Sequence, residues 1–468
     1  MALAPQAAAY RPETAILELG GAFYDPVRPA DFPQALLRFR NDRWAAAVGL
    51  GDLTEEELTR HFGRFEALPD NLPEPLALRY HGHQFRVYNP DIGDGRGFLF
   101  AQLRDGADRL LDLGTKGSGQ TPYSRFGDGR LTLKGGVREV LATEMLEALG
   151  VETSKSFSLI ETGEALERGD EPSPTRSSVL VRLQHGHIRI GTFQRLAYFD
   201  EAENLRRLRD YCLRHYFGEE GGEDGAGRLL DHVSRATAKL AASYIAAGFV
   251  HGVLNSDNIA ITAQSFDYGP WRFTPLWDGT FTAAYFDHAG LYAFGRQPEA
   301  IHWDLVQLAA SLRSIAPADR LTPALEAYPG RFQAALVEAI LARLGIRGRG
   351  PERDASLLAA LEAALAARTV EIDRFFFDWR GGRRRGLSPA DEAYRGEAFA
   401  ALERELQEFE PVSDAFDHEY WSDDGPCSMH IDEIEAIWAR IDGADDWSPF
   451  HAKIAAVRRM GEALAPTA

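Results

Sequence analysis

The sequence is poor in cysteine and has no long apolar run. Its only cysteines, Cys212 and Cys427, are far apart, so neither a disulfide framework nor a cysteine zinc site is expected. The most apolar helical stretch, LAASYIAAGFV at 240–250, is too short to span a bilayer. The N-terminus, MALAPQAAAYRPETAILELG, lacks the basic start and apolar core of a secretory signal. These absences favour a soluble cytoplasmic protein.

Basic side chains are also scarce relative to acidic ones. The chain has 51 Lys and Arg against 70 Asp and Glu, a formal charge of −19. Broad binding to nucleic acid or to anionic membranes needs a basic face, so we expect neither partner, although a small basic pocket for one nucleotide is compatible with this charge. The hydrophobic content of 45% is that of an ordinary globular protein.

The order of the predicted elements indicates an α+β fold that is bilobal and similar to that of protein kinases. We expect an N-terminal extension over residues 1–75, a β-rich N-lobe over 76–195, a helical C-lobe over 196–380 and a helical C-terminal extension over 381–468. In the N-lobe, apolar residues at helical spacing from Val137 to Leu149 predict a helix. The glycine- and arginine-rich stretch RGGRRRG, 380–386, predicts a linker or an exposed turn.

The stretch HGVLNSDNIAITAQSFDYG, 251–269, has the spacing of a kinase catalytic loop followed by its metal-binding tripeptide. His251 and Asn258 keep the kinase His-to-Asn interval, and Asp267 occupies the place of the Asp in Asp-Phe-Gly. Asn258 and Asp267 are therefore predicted oxygen ligands for Mg²⁺ or Mn²⁺. Val253 stands where kinases have the catalytic Asp. Asp257 is the nearest carboxylate that can replace this base, or it is only a structural neighbour of Asn258.

Two basic features upstream of this loop are candidates for phosphate binding. Lys116 ends a predicted strand and Glu139 lies on the following helix, which indicates either the lysine–glutamate pair of kinases or a surface salt bridge. Arg182 and Arg189 flank a turn and suit multidentate phosphate contacts, with solvent-exposed arginines as the alternative.

Two glycine-containing turns are further candidates. GDGRG, 93–97, offers backbone amides and Arg96 to a phosphate, although a plain hairpin turn is the alternative. Asp128 and Gly129, in SRFGDGR, form another polar turn that is predicted to face the site.

Together these segments resemble the selenoprotein O family, in particular bacterial members that lack its Cys or selenocysteine motif. The likeness covers roughly residues 76–305 and includes KGSGQTPYSRFGDGR at 116–130, HGVLNSDN at 251–258, DYGP at 267–270 and DHAGLYAFGRQP at 287–298. The family comprises kinase-fold proteins first classed as pseudokinases. They are understood to transfer AMP from ATP to protein hydroxyl groups, with ATP bound in a flipped orientation relative to kinases.

The resemblance implies a protein adenylyltransferase that modifies Ser, Thr or Tyr and uses ATP as co-substrate. The choice between ATP and UTP stays open, since contacts to the base are not legible in the sequence. It implies that Glu139 pairs with Lys116, that Asn258 and Asp267 bind Mg²⁺ or Mn²⁺, and that Asp257 accepts the proton. Val253 is then tolerated because the kinase base position no longer faces the acceptor. The residues implied to surround the nucleotide are Gly93, Gly95, Arg96, Lys116, Asp128, Gly129, Arg182 and Arg189.

The sequence also departs from the family pattern and leaves two other functions open. It ends GEALAPTA instead of in a redox motif, so we expect no control by a disulfide, and Leu291 stands where the family commonly has Arg. One alternative is a kinase that transfers the γ-phosphate, against which Val253 argues. The other is an inactive nucleotide-binding scaffold, against which the complete set of Lys116, Asn258 and Asp267 argues.

Overall fold

The computed structural model describes residues 6–169 and 171–465. The two ends of the expected extensions, residues 1–5 and 466–468, lie outside the described residues. Within the described part, strands are concentrated before residue 185 and helices after it. The strands are β1 (Pro12–Glu13), β2 (Tyr24–Pro26), β3 (Leu36–Arg40), β4 (Leu76–Leu78), β5 (Gly82–Gln84), β6 (Val87–Asn89), β7 (Leu99–Arg104), β8 (Leu110–Lys116), β9 (Leu131–Thr132), β10 (Lys155–Leu166), β11 (Thr175–Gln184), β12 (Phe249–Val250) and β13 (Arg272–Phe273).

Three α-helices of the described residues lie in the strand-rich part of the sequence and the others follow it. They are α1 (Asp42–Ala47), α2 (Glu55–Gly63), α3 (Leu133–Ala148), α4 (Ile190–Tyr198), α5 (Ala202–Phe217), α6 (Gly225–Ala247), α7 (Gln297–Leu312), α8 (Ala318–Glu326), α9 (Tyr328–Leu344), α10 (Pro351–Leu365), α11 (Ile372–Asp378), α12 (Glu397–Leu406), α13 (Ile431–Ala444) and α14 (Ser448–Leu464).

A large antiparallel sheet positions the first half of the site. Its strand order is β2-β4-β7-β8-β11-β10-β3, with β1 paired to β7 and β9 paired to β11. The central strands β8 and β11 are buried along almost their whole length, as expected of strands covered on both faces. Three strands from the first 75 residues join this sheet, so that segment is part of the same core.

Helix α3 packs on the sheet where the apolar periodicity predicted a helix. Thr132 caps it by accepting a hydrogen bond from the backbone of Gly135, and its apolar face, with Val137, Val140 and Leu141, is fully buried. The early helix α2 likewise begins with the capping box between Thr54 and Glu57.

The helical half places the catalytic loop. Helix α6 ends at Gly248, which takes the left-handed conformation (φ 67°) that favours glycine. The chain then forms the short strand β12, which pairs with β13, and between these strands runs the loop that carries His251 and Asn258. This order, a sheet with helices α2 and α3 packed on it followed by a helical body, confirms the predicted α+β, protein-kinase-like fold.

The expectation of a linker or exposed turn at RGGRRRG is wrong for its first residues. Arg380 is 4% exposed, and its Nη1 donates to the carbonyls of Ala342 and Arg343 at 3.0 and 3.1 Å. Its guanidinium also lies 4.8 Å from the Trp421 ring. An arginine-rich stretch looks solvent-exposed in the sequence. An arginine can nevertheless be buried when it donates to the carbonyls at the end of a helix, which have no partner within that helix.

The C-terminal helix α14 packs against α3. Arg458 of α14 donates to both oxygens of Glu144, a carboxylate that is almost completely buried on α3, at 2.7 and 2.8 Å. The helices also approach closely at Gly461, where a Cβ would lie 3.1 Å from Ala148 Cα. Among the described helices, none combines the length and apolar composition needed to cross a bilayer.

We predict that Arg458→Met lowers the free energy of unfolding by about 1–3 kcal/mol, because Glu144 loses its bidentate partner while it stays buried. Arg459→Met is the matched control, since its contacts to Asp423 are exposed and such pairs contribute little. Urea unfolding of both variants checks this. Equal destabilisation by the two substitutions would contradict a specific contact between α14 and α3.

Candidate active site

One cavity of about 730 Å³ collects most of the residues that the sequence singled out. It lies where two glycine turns, the strands β8 and β11, the catalytic loop and the Asp-Tyr-Gly segment meet. The predicted site residues that line it are Gly93, Gly95, Arg96, Lys116, Asp128, Gly129, Arg182, Arg189, Asp257 and Asp267. Glu139 and Asn258 are not among its lining residues, but Glu139 binds Lys116 and Asn258 directly follows Asp257 in the chain.

Lys116 is the buried cation at the centre of the site. It ends β8 and is 4% exposed. Its Nζ donates to Glu139 Oε1 of α3 and, at 2.5 Å, to Asp267 Oδ1. The pairing with Glu139 is therefore the internal kinase-type pair, and the alternative of a surface salt bridge is wrong.

Asp267 is held as an anion by the cations around it. Burial by itself raises the pKa of this carboxyl, but Lys116 and Arg182 outweigh the burial and hold the pKa well below its usual range. The residue has a left-handed backbone (φ 65°), a conformation that costs of order 1–3 kcal/mol and concentrates at functional sites.

Arg182 and Arg189 place guanidinium groups at the cavity, and some of their N–H donors have no partner within the described residues. Arg182 lies on β11, and its Nη1 is 3.5 Å from Asp267 Oδ1. Its Nε and Nη1, and the Nε of Arg189, are buried without a hydrogen-bond partner within the described residues. Buried donors of this kind are rare unless a ligand completes them, and guanidinium groups match the geometry of phosphate oxygens. The cavity therefore suits an anion.

The GDGRG turn, Gly93–Gly97, is fastened to the end of β8. The backbone of Gly117 donates to Arg96 O at 2.7 Å, so the turn follows Lys116 closely. Gly93 and Gly97 have no space for a side chain, because a Cβ would overlap the Tyr123 ring and Thr115 O respectively. The Arg96 side chain is exposed at the cavity and makes no hydrogen bond or ion pair within the described residues.

The second turn presents Asp128 at the rim of the cavity. Its carboxylate accepts hydrogen bonds from Arg168 at 2.8 and 3.2 Å, and burial, which raises its pKa, is outweighed by Arg168 so that the pKa is lowered. Gly129 has φ 71°, and its carbonyl accepts a hydrogen bond from Gly119 at 3.1 Å. The turn is thus anchored before any ligand binds.

The catalytic loop keeps its kinase-like geometry although Val253 replaces the usual carboxylate. Nδ2 of Asn258 donates to Val253 O at 3.0 Å, so the backbone of residue 253 still orients Asn258. His251 Nε2 donates to Phe266 O at 3.0 Å, which ties the loop to Asp267. The loop is therefore a preserved scaffold with one functional group missing.

Two oxygens near this loop fit a divalent cation. Oδ1 of Asn258 makes no hydrogen bond in the described part of the chain, and the contacts of Asp267 go to its Oδ1, which leaves its Oδ2 free. The described residues contain no group of three or more His, Cys, Asp or Glu that could hold a metal. A cation here would need phosphate oxygens as additional ligands, which is how Mg²⁺ is usually bound at nucleotide sites.

Asp257 is a buried carboxyl that borders the cavity. Its Oδ1 has no hydrogen-bond partner in the described residues, and its own carbonyl accepts a hydrogen bond from Arg189 Nη1 at 3.0 Å. Burial raises the pKa of Asp257 to about 7, although the positive charge of Arg189 opposes the rise. A carboxyl with such a pKa can take up a proton near neutral pH, as a general base must.

The sequence reasoning missed several residues of the cavity. Asp94 accepts a hydrogen bond from Arg189 Nη2 at 3.1 Å and another from the backbone of Leu78 at 3.0 Å. The Tyr80 ring lies under the Arg189 guanidinium, with its centroid 4.3 Å from Arg189 Cζ. Asp94 lies between Gly93 and Gly95 in the GDGRG motif. A carboxylate inside a turn that was already predicted to line the site was the available signal for a partner of an arginine. Tyr123 and Arg125 also line the cavity.

The fold and the lysine–glutamate–aspartate arrangement define a protein of the kinase-fold class. A family model described as "Protein adenylyltransferase SelO" matches residues 6–458, almost the entire chain. The chain belongs to this family, the selenoprotein O family.

Curated relatives support the same membership. A "Protein nucleotidyltransferase YdiU" of Synechocystis sp. is 42% identical over 94% of this chain and 96% of its own length. Its counterpart from Gloeobacter violaceus is 45% identical over 96% of this chain and 95% of its own. Among solved structures, the match to a rhoptry antigen kinase domain of Toxoplasma gondii covers 72% of this chain and 83% of that domain, at 10% identity and with a TM-score of 0.27.

We predict that Asp94→Asn weakens nucleotide binding about 10-fold or more, because Arg189 loses a charge-assisted hydrogen bond that orients it. Asp91→Asn is the control, since Asp91 is exposed in the same segment and does not line the cavity. Titration calorimetry with ATP measures both affinities. Unchanged affinity in Asp94→Asn would show that Arg189 does not need this partner.

Proposed function

We propose that this protein transfers AMP from ATP to hydroxyl groups of Ser, Thr or Tyr in other proteins. One observation carries the proposal: the kinase base position holds Val253, while Asp257, four residues later, is a buried carboxyl with a free oxygen at the edge of the cavity. The description of the matching family and the names of the relatives agree with nucleotidyl transfer.

The proposed reaction is a displacement at the α-phosphorus of ATP. The acceptor oxygen forms a bond to this phosphorus, the bond from the phosphorus to the oxygen that bridges to the β-phosphate breaks, and pyrophosphate leaves. Asp257 takes the proton of the acceptor hydroxyl. Its pKa of about 7 lets the carboxylate exist near neutral pH and still bind the proton.

The cations of the cavity provide the electrostatic part of the proposal. Lys116, Arg182 and Arg189 would bind the triphosphate, and the unpartnered donors of the two arginines support this role. Arg96 and the two glycine turns, at Gly93–Gly97 and Asp128–Gly129, would complete the nucleotide site from the rim. Glu139 would keep Lys116 in place.

Asn258 and Asp267 would hold Mg²⁺ or Mn²⁺ together with phosphate oxygens. When bound, such a cation neutralises charge that develops on the phosphate oxygens. In this proposal ATP would lie flipped relative to kinases, so that its γ-phosphate would be away from Val253. The two free cysteines, buried Cys212 and half-buried Cys427, support a reducing, cytoplasmic location.

We predict that protein acceptors gain label from α-labelled ATP and not from γ-labelled ATP, and only when a divalent cation is present. The physical reason is that the flipped nucleotide presents its α-phosphorus to the acceptor beside Asp257, while its γ-phosphate lies away from the loop. Unfolded casein, which offers many hydroxyls, serves as the acceptor, and a parallel reaction with α-labelled UTP tests the choice of nucleotide. Covalent γ-label alone would establish a kinase instead.

Two substitutions separate the candidate base positions. Asp257→Asn is expected to slow single-turnover AMP transfer by roughly 10²–10⁴-fold, as for a lost general base, with nearly unchanged ATP affinity. Val253→Asp restores the kinase carboxylate and is expected to give no γ-transfer, because the γ-phosphate lies elsewhere. Near-normal transfer by Asp257→Asn would rule out the base, and strong γ-transfer by Val253→Asp would reject the flipped orientation.

A further inference from the structure

Exposed apolar side chains concentrate around one small hairpin. Eleven large hydrophobic residues are exposed among the described residues, and five of them border the β5–β6 hairpin rather than lying scattered. We call these five the hairpin patch: Val87, Tyr198, Phe199, Tyr285 and Phe286. Single exposed hydrophobics need no explanation, whereas a group of them gathered around one element suits an interaction site.

Ring contacts join the patch to the hairpin on both sides. On one side, Phe286 packs against Phe85 of the hairpin turn with ring centroids 5.8 Å apart, and Tyr285 packs on Phe286 at 5.1 Å. On the other side, Tyr198 stacks on Tyr88 of β6 at 5.4 Å, and Phe199 follows at 5.0 Å from Tyr198. The hairpin is thus the shared support of both groups.

The same hairpin touches the catalytic loop. The backbone of His83 donates to Ser256 Oγ at 2.8 Å, and that of Phe85 donates to Asn255 Oδ1 at 3.0 Å. A Cβ on Gly82 would lie 2.9 Å from Asp257 Cβ, so β5 runs directly beside the proposed base. Because a strand advances about 3.4 Å per residue, a bound polypeptide needs only a few residues to reach from Asp257 to the hairpin turn.

The basic group of the hairpin turn is already paired. Arg86 binds Glu299 of α7 at 3.0 Å, and Glu299 also binds Arg296 at 3.2 Å. Exposed Asp200 and His288 adjoin the patch in the sequence. The patch itself consists of four aromatic rings and the Val87 side chain, which suits a partner that contributes apolar groups.

We propose that the hairpin patch binds the acceptor polypeptide through apolar side chains that flank the modified hydroxyl residue. This inference rests on the proposed function, which requires a polypeptide hydroxyl at Asp257. The continuity of the patch with the catalytic loop selects the acceptor as the occupant over other partners.

The test compares two synthetic peptides with the same central Ser, Thr and Tyr acceptors, flanked either by Leu and Phe or by Gly and Asn, together with unfolded casein. Wild-type protein is expected to show a KM at least about 10-fold lower for the apolar peptide, since each buried apolar side chain contributes at least that factor. The double variant Val87→Ser, Tyr285→Ser is expected to abolish the difference and to raise the KM for casein, with kcat and ATP affinity unchanged. These two side chains are 70% and 81% exposed, so the fold does not depend on them.

Leu387→Ser is the matched control, because Leu387 is 99% exposed and lies outside the patch. If wild-type protein transfers AMP to none of the three acceptors, the proposed function fails. If it transfers AMP but the two peptides have equal KM, or the double variant keeps the preference, the patch is not the acceptor site. Sedimentation that shows a dimer lost in the double variant, with unchanged KM values, would instead assign the patch to self-association and overturn the proposal.

Discussion

The buried ammonium group of Lys116 joins three separate parts of the chain. The residue ends β8, and its ammonium binds Glu139 on α3 and Asp267 after the catalytic loop. A lysine that is almost fully buried is costly unless its charge is paired and hydrogen-bonded. The strand, the helix and the loop segment must therefore all be in position together. Correct packing of the sheet against the helical body and assembly of the candidate site are thus one physical condition.

Elements with strong local signals were predictable, and elements that depend on distant partners were not. The helical spacing of apolar residues in α3 and the capping box at Thr54 each depend only on residues close together in the sequence. Strands β5 and β6 have only three residues each, and β5 is supported by Asn255 and Ser256, about 170 residues later. Arg380 was expected in a linker for the same reason, since the carbonyls that bury it come from another helix.

The candidate site follows the same division. Motif spacing selected Lys116, Asp257 and Asp267, and the family resemblance added most of the other predicted residues that meet in the cavity. The spacing does not show how their charges are shared. Asp128 is engaged by Arg168, and Arg189 is fixed by Asp94 and by the carbonyl of Asp257. These partners are distant in sequence, and their choice depends on the three-dimensional balance of burial and charge.

The C-terminal helix α14 holds α3, the helix that carries Glu139 of the lysine–glutamate pair. In protein kinases the helix that carries the glutamate is mobile, and its position controls whether the pair forms. Here α3 is held on one side through Glu139 and on another through Glu144, which Arg458 of α14 binds with two hydrogen bonds. The same α14 packs Phe450 edge-on against Phe39 of the sheet. Because α14 bridges sheet and helix, α3 is held in place on two sides, and its pair with Lys116 is formed without any ligand.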